Sequence, residues 1–296
     1  MNLKTELKNK RPNLSNGSFL TYNSILSSLY KNVFSKDSTN VEEIDIDKFN
    51  NTDTILEHLK GLPPNRRKTI LSALVVISDK KPYRDLMLED IKNYNQEISK
   101  QEKSPAQELS WVNTDDIKSL YEKLKDVGTY LYKKKDFTMK QYQQIQDFII
   151  VALLGGLFIP PRRSLDYCSF KLKIIDTDKD NYINKNQMVF NTYKTAKFYK
   201  QQRVDIPKDL KAILTKWIKV NPTDYLLFDT NKNPLTSVKL NQRMNKIFGK
   251  KVGVNQMRHT YLTDKYKDTI NKQKQMNADM TEMGSSSSQS KVYIKE

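Results

Sequence analysis

Residues 18–34 (SFLTYNSILSSLYKNVF) set Leu20, Ile25, Leu29 and Val33 at near-helical spacing, with Ser18 placed to cap the segment. A second helix is predicted over 52–60, where Thr52 or Asp53 precedes Ile55, Leu56 and Leu59. Pro63 and Pro64 then interrupt the chain, and 65–78 (NRRKTILSALVVIS) reads as an apolar helix with a basic first turn. A fourth helical stretch covers 82–99. Four helices without strand signals predict an α domain over residues 1–100. The polar run QEKSPAQEL, with Pro105 in it, predicts a linker over 101–110.

From Trp111 the pattern restarts, and a second domain is expected over 111–296. Helices are predicted at 114–126 and 138–153, the latter running into FIIVALLGGLFI. Helical periodicity is lost over 172–206. There Ile174 and Ile175, the turn-rich DTDKDN, MVFNTY and RVDIP predict short strands in hairpins. Helices return at 208–219, 236–248 and 255–271. The fold class expected is mainly α with a small β insert, in two domains and without internal repeats.

Composition narrows the function. Lys and Arg number 51 against 34 Asp and Glu, a net charge of +17, and the pI is 9.6. That excess suits a polyanion, because each neutralised phosphate releases condensed counterions. A solvated Lys-rich surface would give the same count. No apolar run approaches the ~20 residues of a membrane span, and the N-terminus lacks the apolar core of a secretory signal. One cysteine, Cys168, forbids an internal disulfide, so a reducing intracellular compartment is expected.

Several catalytic classes lack their residues. There is no GxxxxGK[ST] phosphate loop, and His58 and His259 lie far apart without metal-ligand spacing. The acids cluster in turns and on helix surfaces rather than at the spacing of a carboxylate–magnesium nuclease. Phosphate chemistry built from arginines, a lysine and a nucleophile remains.

Four segments carry such residues in order. IPPRRSLDY (159–167) ends an apolar helix with two prolines and follows them with Arg162 and Arg163. NTYKTAKFYKQQRVDIP (191–207) is a lysine-rich hairpin leading into a basic strand. VNQMRHTYLTDKY (254–266) holds Arg258 and His259, and MGSSSSQSKVYIKE (283–296) holds Ser285 and Tyr293. Together they resemble the boxes of the tyrosine recombinases (phage-type integrases), most closely in a viral or mobile-element form with PPxR in the first box.

The resemblance implies a fold, a reaction and roles. An N-terminal helical core-binding domain and a catalytic domain would clamp duplex DNA. Tyr293 would attack a phosphodiester, leaving a 3′-phosphotyrosyl link and a free 5′-hydroxyl, and no cofactor or metal would be needed. Arg163, three residues before Asp166, and Arg258 would hold the scissile phosphate; Arg162 competes for the first of these places. Lys194 would protonate the departing oxygen, with Lys197 as fallback, provided burial and cationic neighbours lower its pKa.

Asn255 and Ser285 stand where the family carries histidines, and Asn255 could instead cap a helix. His259 matches a structural histidine. Arg162, Lys197, Arg66 and Arg67 are expected to contact DNA, and a homotetramer is the expected assembly on it. The chain ends three residues after Tyr293, where many members have a further helix, so a different tetramer contact or a shortened chain is expected. A type IB topoisomerase-like enzyme and a DNA-binding relative without strand transfer remain alternatives.

Overall fold

The computed structural model describes residues 2–35, 44–286 and 292. The chain divides into two compact units, residues 1–102 and 103–296. Both are helical, and among the described residues one three-stranded sheet lies in the second. No helix among the described residues is long and apolar enough to cross a membrane.

The first unit contains α1 (Leu3–Lys10), α2 (Asn16–Phe34), a 3-10 turn (Ile46–Asn50), α3 (Thr52–Leu59), α4 (Pro64–Ser78) and α5 (Lys81–Ser99). Helix α1 was not foreseen, because only Leu3 and Leu7 of its eight residues are buried. The side chains of Ser15 and Asn51 cap α2 and α3, in place of Ser18 and of Thr52 or Asp53. Helix α2 buries Leu26, Leu29 and Tyr30, while Leu20 is 57% exposed. The core gathers these with Leu7, Phe49, Ile55, Leu71 and Ile77.

Arg67 departs from its expected role. Its Nε and Nη2 donate to both carboxylate oxygens of Asp90, at 2.8 and 2.7 Å, tying α4 to α5. Asp90 is fully buried, so a charge-assisted fork is what lets the carboxylate stay there. Arg67 is thus a structural partner of Asp90, whereas Arg66 is exposed.

The second unit begins with α6 (Pro105–Ser110), inside the segment expected to be a linker. A reciprocal capping box between Ser104 and Gln107 stabilises this short helix. Then follow α7 (Thr114–Leu131), α8 (Met139–Leu154), α9 (Ser164–Cys168), strands β1 (Tyr182–Asn184) and β2 (Gln187–Phe190), α10 (Ala196–Tyr199) and β3 (Gln202–Asp205). Helices α11 (Lys208–Val220), α12 (Ser237–Phe248) and α13 (Val254–Glu282) complete it.

Helix α8 is the axis of this unit, with every residue from Phe148 to Leu154 buried. Its fully buried Gln146 accepts from the Phe228 amide at 2.8 Å and donates to the Phe228 carbonyl at 3.2 Å. Trp217 stacks on the Phe228 ring, 5.9 Å away and 8° from parallel.

The sheet is antiparallel in the order β1-β2-β3. It starts at Tyr182, so Ile174 and Ile175 lie outside it, and Ile174 is 80% exposed. Those two isoleucines had looked like a strand because they precede a turn.

Replacing Arg67 with Ala should destabilise the protein by about 3–5 kcal/mol, since it leaves Asp90 buried and uncompensated. Arg66→Ala should leave the denaturation midpoint essentially unchanged. Chemical denaturation of the two variants checks this, and equal losses would refute the division of roles.

A candidate phosphate cleft in the second unit

The route into the cleft begins at the end of α8. Gly156 adopts φ +75°, and a Cβ built there would lie 2.8 Å from the Tyr261 ring. Only glycine combines that conformation with such a close approach. The contact brings the chain down beside α13 one turn beyond Arg258. Pro160 and Pro161 then carry it, without continuing the helix, to Arg162 and Arg163.

Here Arg162 and Arg163 separate in function. Arg162 Nε donates to Asp166 Oδ2 at 2.9 Å and its Nη1 donates to Gln202 Oε1 at 2.9 Å. The same guanidinium lies 3.9 Å above the Phe190 ring and 5.1 Å from that of Tyr193. It therefore ties α9 to β2 and β3. Arg163 accepts the Asp166 amide through its carbonyl at 3.0 Å, and its charge acts on the Asp166 carboxylate without forming an ion pair. The carboxylate that favoured Arg163 by spacing thus pairs with Arg162, one residue earlier. No residue among those described hydrogen-bonds or pairs with the Arg163 guanidinium, and the same is true of Arg258.

Asp166 is 2% exposed. Burial pushes its carboxyl above the ordinary range, and the charges of Arg162 and Arg163 oppose that rise. Burial likewise pushes the neighbouring Cys168 thiol up to about 12, which makes it a packing residue rather than a nucleophile.

Asn181 joins two of the sequence segments. Its Nδ2 donates to the carbonyls of Asp166 and Thr192, at 2.9 and 2.8 Å, and its Oδ1 accepts from the amides of Asn191 and Thr192 at 2.9 and 2.8 Å. One buried amide side chain so fixes the arginine segment to the start of the β2–β3 connection. In the sequence Asn181 looked like the end of a turn.

The result is a cleft of about 410 Å³ that brings together Arg162, Arg163, Arg258, Asp166, Tyr193, Thr195, Tyr199 and Gln202, with Pro160 and Pro161. Three arginines from two distant segments meet on one small surface. The cleft can hold an anion: Arg163 and Arg258 present free planar forks, and Arg162 adds a fixed charge behind them.

Other expected residues lie elsewhere. Lys194 and Lys197 are on the connection between β2 and β3, but both are exposed and neither lines the cleft. Asn255 is exposed, and the helix it was thought to cap is capped by Gly253. His259 is also exposed.

Ser285 is remote from the cleft. Helix α13 runs unbroken for 29 residues, and the 25 from Arg258 to Glu282 span roughly 36 Å at about 1.5 Å per step. At its end the Gly284 and Ser285 amides donate to Thr281 and Met280 carbonyls at 3.0 and 2.8 Å, with Gly284 at φ +70°. This is a Schellman stop, and it gives Gly284-Ser285 a local reason to exist. Tyr293 lies outside the described residues. Tyr199, Tyr193, Gln202 and Asn181 were missed in the sequence, where no spacing rule singles them out.

Gly156→Ala should lower stability by about 1–3 kcal/mol through backbone strain and the clash with Tyr261. Gly249→Ala has a similar φ of +66° with nothing within 4 Å, so it should lose less; equal losses would sink the packing argument.

Asp166 provides a second test. Its proton is held more tightly in the folded than in the unfolded chain. Its contribution to stability is therefore full below the ordinary carboxylate range and is lost as pH rises through the elevated folded value. A carboxyl-carbon NMR titration should show a midpoint above that of a free aspartate, and a depressed midpoint would contradict the burial effect.

No protein-family profile matches this sequence, and no curated protein matches it. Among solved structures, the chain is similar to a lambda integrase(75-356) dimer bound to a COC′ core site, at 12% identity over 88% of each chain and a TM-score of 0.45. A second structure, of a lambda integrase dimer bound to a COC′ core site, matches at 12% identity over 90% of this chain and 71% of that one, with a TM-score of 0.44. XerA recombinase matches at 14% identity over 88% and 82%, with a TM-score of 0.35.

Proposed function

We propose that this chain binds duplex DNA and cleaves and rejoins it through a phosphotyrosyl intermediate, as a site-specific tyrosine recombinase of a virus or mobile element. The observation that carries the reading is the convergence of Arg163 and Arg258, both unpaired, on one cleft backed by Arg162. Two planar forks suit the equatorial oxygens of a phosphoryl transition state.

In this reading Tyr293 Oη attacks the phosphorus, the 5′-oxygen departs, and the bond energy is kept in a 3′-phosphotyrosyl link. A 5′-hydroxyl reverses the step, so neither ATP nor a metal is required. The exposed Lys194 and Lys197 contact flanking phosphates, as does Arg66 of the first unit. The +17 net charge supplies the sequence-independent attraction. Assembly as a homotetramer on DNA, inside the cell that holds that DNA, completes the proposal.

A second reading has its own support. The unbroken α13 separates Ser285 from Arg258, which favours a DNA-binding relative without strand transfer. A pool of nicked duplexes with randomised cores separates the two. Recombinase activity predicts a covalent protein–DNA adduct on a denaturing gel that Tyr293→Phe removes and that Arg163→Ala or Arg258→Ala reduces by about 10²–10³. DNA binding that falls steeply with salt, without any adduct, would leave only the second reading. Supercoil relaxation by monomers would instead point to topoisomerase-like chemistry.

A further inference from the structure

We infer that Tyr199 is the proton donor of this cleft, its hydroxyl protonating the 5′-oxygen that leaves a phosphodiester held by Arg163 and Arg258. The inference rests on the phosphotyrosyl reading above and names a residue for a role that the expected candidates do not fill.

A departing sugar oxygen needs a proton from a group that can release one. Lys194 and Lys197 face solvent outside the cleft, Asn255 has no proton to give, and Ser285 is at the far end of α13. Within the cleft, arginines keep their protons. Asp166 is buried in its ion pair with Arg162, and the Tyr193 hydroxyl donates to the Lys200 carbonyl at 2.6 Å. Thr195 carries an aliphatic alcohol, no stronger an acid than the alcohol to be formed. Tyr199 remains: a phenol, 68% exposed, on the cleft wall with the three arginines, and its hydroxyl has no partner among the described residues.

The backbone holds it there. Tyr199 is the last residue of α10, and Lys200 follows at φ +56°. Its amide donates to Ala196 and its carbonyl receives the Tyr193 hydroxyl. A left-handed lysine is costly unless its surroundings fix it, and these two bonds do so immediately beside Tyr199.

The step balances. As the Tyr293 Oη–P bond forms and the P–O5′ bond breaks, the Tyr199 proton moves to O5′. The phenolate left behind stays in the cleft that Arg163 and Arg258 also line, and the proton of Tyr293 passes to solvent. On rejoining, the P–O5′ bond forms as the Tyr293 Oη–P bond breaks; the Tyr199 phenolate recovers its proton from the attacking 5′-hydroxyl, and Tyr293 takes one back from solvent.

The test uses the full chain with two nicked substrates, one ordinary and one with sulfur replacing the bridging 5′-oxygen, since a thiolate leaves without a proton. Tyr199→Phe should slow adduct formation by about 10²–10⁴ on the oxygen substrate and restore near wild-type rates on the sulfur one. Equal slowing on both, or no slowing, would overturn the assignment, as would this rescue pattern in Lys194→Ala instead. Wild-type protein that forms no adduct even on the sulfur substrate would remove the phosphotyrosyl reading itself, and the inference with it.

Discussion

A carboxylate taken out of water must find a counter-charge, and in this chain Asp166 finds it in Arg162. Much of the second unit's cleft depends on that pairing. The guanidinium that answers Asp166 is also stacked on Phe190 and bonded to Gln202. One side chain so fixes α9 against two strands of the sheet. Because Arg162 is committed in this way, the adjacent Arg163 is left free for a ligand. The two arginines are neighbours in sequence and similar in chemistry, yet the burial of one carboxylate gives them opposite tasks.

Two further contacts complete the assembly. Gly156 lets the chain pass against Tyr261 with no room for a Cβ, which aligns the arginine segment with α13. Asn181 satisfies four backbone groups at once and so couples α9 to the β2–β3 connection. Such a buried amide is costly if any bond is missing, and so it specifies one arrangement among many. Arg163 and Arg258, 95 residues apart in the chain, meet because of these local solutions rather than through any attraction between themselves, since like charges repel.

Periodicity made the long elements legible. The expected helices over 52–60, 65–78 and 236–248 differ from α3, α4 and α12 by a residue or so at their ends. What escaped were short helices set by caps, such as α6, and residues whose value is tertiary. Spacing pointed to Arg163 through Asp166, but the sequence could not say which arginine the carboxylate would take. In the same way basic residues look alike until burial sorts them: Arg67 is held by Asp90, while Arg66 faces water. The lysines of the β2–β3 connection were read for an acid role that needs burial. The backbone there turns through α10 instead, which leaves them in solvent and sets Tyr199 on the cleft wall.

The last segment is where local and functional readings of the same residues diverge. Gly284 fits the box that the sequence resembles, with Ser285 at its histidine position, yet in this structure the two form the Schellman stop of α13. A helix of that length ends well by placing glycine in the left-handed conformation, whatever follows. Arg258 and Ser285 stand roughly the 36 Å length of the intervening helix apart, so the proposed cleavage asks more of α13 than phosphate binding does. A cleft whose arginines are already in place does not need α13 to change in order to bind phosphate. Binding and cleavage thus place different demands on the same helix.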